Sequence, residues 1–217
     1  MPSHSAAERA ALVDALTHAG PRRPTLCDGW TTTELAAHLV SRERRPDAGI
    51  GLVVPAFSGW TDYVRGRYAT QPYADLITAI RNGPPITSPM ALPGVDARIN
   101  LIEHFVHCED VRRAGPGWSA RDLPDARQDA LWASISVLGR MLFRRSPVGV
   151  TLRTPDGRTK QLVKKSAADG TEIEGVHLVG EPAELTLYGY GRKDQARVQV
   201  EGPDDAVTAF RRLTLRI

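Results

Sequence analysis

The sequence predicts an α+β protein, with a helical N-terminal portion followed by a small α/β portion. Two observations carry this reading. Up to about Ser146, apolar residues recur at helical spacing. Beyond Val148 the texture changes to short β-like runs broken by glycine and proline. The predicted domains are therefore residues 1–146 and 147–217.

The elements follow in order. Ser5-Ala6-Ala7-Glu8 reads as a capping box, Ala11, Leu12, Ala15 and Leu16 give the first helix its apolar stripe, and Gly20 stops it. Thr31-Thr32-Thr33-Glu34 is a second capping box. The helix it opens carries Leu35, Leu39 and Val40 and stops before Pro46. Asp47 to Val95 is less regular, with helices expected over Trp60–Tyr68 and Tyr73–Arg81, and its length suits a lid or binding loop. A central helix spans Val95 to Ala114 and ends at Gly115-Pro116-Gly117. Pro124 opens the fourth long helix, through Leu131, Ile135, Leu138 and Leu142 to near Arg145.

After Ser146, Val148–Leu152 and Lys160–Lys164 read as strands joined at Pro155-Asp156-Gly157-Arg158. Val176–Val179 and Arg197–Val200 are further strands, and Pro182–Tyr190 and Pro203–Leu213 are helices.

Composition narrows the function classes. A net charge of +3 is slight, and the basic pairs, such as Arg22-Arg23 and Lys164-Lys165, are scattered along the chain. A nucleic-acid footprint would cluster on one face, so no nucleic-acid partner is expected. No apolar run approaches the length of a membrane span, and none is expected. Two cysteines, with no basic-then-apolar segment over Met1–Glu8, point to a cytoplasmic protein with reduced thiols.

The chemistry concentrates in Asn100–Asp110 of the central helix. Glu103 and His107 are four residues apart, so they stack on one helical face. A carboxylate and an imidazole so placed are two ready ligands for a divalent ion, and His38 on the second helix is the candidate third. Two imidazoles and one carboxylate suit zinc, iron or nickel, zinc first among them, and leave coordination positions open for chemistry. His104 and Cys108 form a competing pair one step round the same helix, and spacing alone does not separate the two registers.

Trp30 followed by Glu34-Leu35-Ala36-Ala37-His38-Leu39, and then Glu103-x-x-x-His107-x-x-Asp110, resembles the DinB-like metal-binding superfamily. Within it the chain is most similar to the mycothiol-dependent maleylpyruvate isomerase-like group of actinobacterial proteins. Gly180–Leu187, Gly191-Arg192 and Val200-Glu201-Gly202 resemble the C-terminal α/β domain of that group, which is related to sterol carrier proteins.

The resemblance implies a DinB-like four-helix bundle followed by a sterol-carrier-like domain. It places metal ligands at His38, Glu103 and His107, and a group at Asp110 that orients a ligand or holds an arginine. Arg192 falls on an arginine of the isomerases and is the candidate catalytic residue, binding a carboxylate of substrate or thiol. Tyr188-Gly189-Tyr190 beside it departs from the family pattern.

Two functions of different class result. One is a metal-dependent enzyme that activates a low-molecular-weight thiol, by resemblance mycothiol, for addition to a small electrophile, as an isomerase or a thiol S-transferase. The other is a non-catalytic metal- or small-molecule-binding protein. The resemblance also implies a homodimer, with no interface marked in the sequence.

Overall fold

The computed structural model describes residues 3–49, 58–166 and 173–215. They divide into two compact units, Met1–Arg121 and Asp122–Ile217.

The first unit is helical. α1 (His4–Ala19) is capped by Ser3, whose hydroxyl accepts from Ala6 N at 3.1 Å. The expected cap at Ser5 and Glu8 is thus displaced by two residues, because both side chains are buried within the helix. Ser5 donates to Asp96 at 2.9 Å, and Glu8 receives Arg121 at 2.6 Å.

α2 (Thr32–Arg44) carries the predicted capping box at Thr31 and Glu34. α3 (Ser58–Ala69) packs on α2, and α4 (Tyr73–Asn82) packs on α1 and α2. Residues 50–57 of the expected lid or binding loop lie outside the described residues. Leu12 and Leu16 of α1, Leu35 and Leu39 of α2, and Leu76 and Ile80 of α4 meet in one core.

The central helix begins two residues before the expected Val95. A short turn (Pro93–Val95) and a π-helical turn (Asp96–Asn100) run into α5 (Leu101–Arg112). Glu109 of α5 anchors a buried ion-pair network. It receives Arg121 at 2.6 Å, Arg113 at 2.5 Å and Arg112 at 2.8 Å, and Arg121 continues the chain to Glu8.

The second unit holds a four-stranded sheet in the order β2-β1-β3-β4. These strands are β1 (Val150–Arg153), β2 (Thr159–Val163), β3 (Val176–Val179) and β4 (Gln199–Glu201). β1 pairs antiparallel with β2 through the predicted hairpin, where Gly157 takes φ +90. β1 pairs parallel with β3, with Leu152 opposite Leu178, and β3 pairs antiparallel with β4.

The long helix α6 (Asp125–Leu142) packs on α7 (Pro182–Gly189) and on β2, and α8 (Asp204–Arg211) closes the unit. Ile135 of α6 and the following Phe143 join Leu152, Leu178, Leu185 and Phe210 in the second core. The division between the two compact units falls after Arg121, and α6, which the sequence reading places with residues 1–146, shares its core with the sheet. Periodicity reveals that a helix has an apolar face but not which core receives it. Among the described residues no helix is long and apolar enough to cross a membrane.

Candidate metal centre

The site is built entirely within the first unit. The capping box fixes the start of α2, which carries His38 about 1.7 turns later. The π-helical turn sets the start of α5, which carries Glu103 and His107. Its Asn100 is buried, accepting from Arg42 at 3.0 Å and donating to the Met90 carbonyl at 2.7 Å. π turns of this kind are frequent at functional sites.

The loop before α2 completes the surroundings. Gly29 takes φ +73 in a tight turn in which Trp30 N donates to the Cys27 carbonyl at 2.9 Å. Leu26 N donates to the Asp110 carbonyl at 3.1 Å, tying this turn to the end of α5. Trp30 packs against the His38 ring at 5.1 Å between centroids, and the Arg65 guanidinium covers the Trp30 ring at 4.6 Å.

His38, Glu103 and His107 come together. Glu103 Oε1 lies 3.1 Å from His38 Nε2 and 3.3 Å from His107 Nε2. The three ligand atoms all lie within 4.8 Å of one another. Zinc bonds of about 2.0–2.2 Å at tetrahedral angles separate two ligand atoms by about 3.3–3.5 Å. Both measured separations are close to that edge, so the donor set fits a divalent ion.

Electrostatics favours the ligand forms of two of the three. Burial opposes ionisation of Glu103, but the Arg42 guanidinium at 3.6 Å, with His107 and His38, holds its carboxyl well below the usual range. Burial pushes His38 down against its hydrogen bond to Glu103, so its imidazole is neutral near pH 7. His107 goes the other way. Burial opposes its charge, but Asp110, Cys27 and Glu103 raise it well above its ordinary value. An arriving ion displaces that proton.

His104 and Cys108, the competing register, point elsewhere. His104 is fully buried, with Nδ1 3.4 Å from Ser5 Oγ and Nε2 3.5 Å from Glu43. Cys108 lies in the hydrophobic core, and burial pushes its thiol up to about 12. Arg192 lies in the second unit, half-buried, and its guanidinium donates to the Tyr190 carbonyl.

Sequence reasoning missed two neighbours. Arg42 lies four residues after His38, so helical spacing alone could have flagged it. Cys27 carries no such signal, because a loop turn rather than a helical period brings it to the site.

Residues 3–81 match the family described as the mycothiol maleylpyruvate isomerase N-terminal domain. The match covers the N-terminal segment alone. Its matched stretch includes His38 and Trp30 and stops before Glu103 and His107. Two solved structures share the fold across most of the chain. One is a histidine-to-alanine variant of the mycothiol-dependent maleylpyruvate isomerase, 17% identical at a TM-score of 0.58, covering 91% of this chain and 90% of that chain. The other is the mycothiol-dependent maleylpyruvate isomerase itself, 16% identical at a TM-score of 0.57, with the same coverage. No curated protein sequence matches the chain.

Proposed function

We propose that this protein is a metal-dependent isomerase that uses a low-molecular-weight thiol of the mycothiol class on a small unsaturated acid. The observation that supports this reading most directly is Glu103 Oε1 between two imidazole Nε2 atoms at tetrahedral-edge distances. The family of the N-terminal segment and the fold of the two isomerase structures support the thiol and the reaction class. When bound, ion and thiol together would supply a thiolate at neutral pH that adds reversibly to a cis double bond, allowing rotation to the trans isomer.

The chain's own residues do the rest. His38, Glu103 and His107 hold the ion. Asp110 accepts from His107 Nδ1 at 2.9 Å and so turns Nε2 toward the ion. Arg42 offsets the Glu103 charge in the half-buried site. Trp30 fixes the His38 ring and shields it from water on one side. Among the described residues, this donor group contains three protein ligands, which leaves positions for exchangeable ones. In this reading Arg192 binds a carboxylate of substrate or thiol.

The test is metal content of untagged protein by elemental analysis, with turnover of a cis-unsaturated acid plus thiol, for wild type, His38→Ala and His107→Ala. The expected result is about one equivalent of zinc, iron or nickel in wild type, with metal and turnover lost together in both variants. Full turnover in a variant without metal overturns the proposal. Stoichiometric metal without turnover on any thiol supports a binding protein instead.

A further inference from the structure

His107 presents both ring nitrogens to other potential ligands. Nε2 faces Glu103, and Nδ1 faces a second set, with Asp110 Oδ2 at 2.9 Å and Cys27 Sγ at 3.9 Å. Cys27 Sγ also donates to Asp110 Oδ2 at 3.2 Å. These three ligand atoms lie within 4.8 Å of one another.

We propose that Cys27, His107 Nδ1 and Asp110 form a second metal site, selective for soft, thiophilic cations such as cadmium. Three features carry this. First, a thiolate ligand selects soft ions, whereas the His38, Glu103 and His107 set has no sulfur. Second, the site is charge-balanced: a thiolate and a carboxylate together neutralise a divalent ion, which removes the main penalty of holding charge in a buried place. Third, Cys27 is half-buried on a loop turn, while Cys108 is sealed in the core. On binding, the ion takes the places of the Cys27 thiol proton and the His107 Nδ1 proton, both released to solvent. Asp110, until then an acceptor for those two donors, becomes a ligand.

The two sites share one ring. A neutral imidazole carries a single N–H. With a soft ion on Nδ1 the proton stays on Nε2, where it donates to Glu103 and fills the position an ion there needs. A cation at Cys27 therefore excludes a cation at Glu103. This competition rests on the metal centre proposed above, but the Cys27 site does not.

The test is titration of metal-free, full-length protein with cadmium chloride, following the thiolate-to-cadmium charge-transfer absorption. The band is expected in wild type, His38→Ala and Cys108→Ala, and is expected to be lost in Cys27→Ser. No band in wild type, or a band that persists in Cys27→Ser, overturns the site. Wild type dialysed against zinc and cadmium together should retain one ion per chain, and one of each retained overturns the competition. A cadmium band in protein that never retains zinc, iron or nickel would leave this site standing while removing the metal centre of the proposed function.

Discussion

Asp110 Oδ2 accepts a hydrogen bond from His107 Nδ1 at 2.9 Å, and His107 Nε2 on the opposite side of the ring lies 3.3 Å from Glu103. One buried carboxylate thus sets the orientation of the imidazole that the proposed metal centre needs. Asp110→Asn keeps the volume and removes the charge. Zinc affinity, read by competition with a chromophoric chelator, is expected to fall about 10–100-fold, with the far-ultraviolet circular dichroism unchanged. Unchanged affinity would show that Asp110 does not orient a ligand.

Arg192→Gln separates substrate binding from metal binding. Loss of a charged hydrogen bond to a carboxylate, worth about 1.5–3 kcal/mol, is expected to raise KM by about 10–100-fold. Metal content should be unaffected. A variant with wild-type KM would remove Arg192 from the proposed function.

Glu109 tests the buried network. It is fully buried and receives three guanidinium groups. Glu109→Ala leaves the buried Arg113 side chain without its carboxylate and is expected to cost about 3–5 kcal/mol in urea unfolding. The sign of its pH dependence follows from the shift. Burial opposes ionisation, but Arg121 and Arg113 hold the folded-state value below the ordinary 4.5. A depressed carboxylate stabilises the fold above its unfolded value and loses that contribution as pH falls through the folded one. Wild-type stability should therefore decline more steeply below pH 4.5 than that of Glu109→Ala.

Gly139 tests where α6 belongs. A Cβ there would lie 2.7 Å from Leu162 Cδ1 on β2. Gly139→Ala gains about 1 kcal/mol in helix propensity but forces the Leu162 side chain aside, and is expected to cost about 0–2 kcal/mol net through overpacking of the second core. A fragment of residues 122–217 should give a cooperative melt, whereas 147–217, lacking Ile135 and Phe143, should not. A cooperative melt of the shorter fragment would support a domain boundary at Ser146.

Much of this was legible in the sequence because local chemistry settles it. The Thr31–Glu34 box and Pro46 bracket α2, and a spacing of four puts Glu103 and His107 on one face whatever surrounds them. Asp156-Gly157 marks the hairpin for the same reason. What was not legible depends on partners distant in sequence. Ser5 and Glu8 have the residue types of a cap, yet Asp96 and Arg121 claim them. The apolar face of α6 does not name its core. Cys27 reaches His107 across 80 residues of chain through a turn whose effect appears only once Leu26 is bonded to Asp110.

The π turn at Asp96–Asn100 bears on how this site tolerates change. A π turn holds one residue more than the regular helix, and each residue advances an α-helix by about 100°. The azimuth of Glu103 and His107 relative to Pro93 is therefore set by a single extra residue. Deleting the partly exposed Ile99 would leave a good helix with its rotational phase reset. Either the ligand pair or the Pro93 end would have to swing away from its neighbours. Point substitutions along this helix should thus be absorbed far more readily than any change in its length, and a zinc titration of the Ile99 deletion would measure the difference.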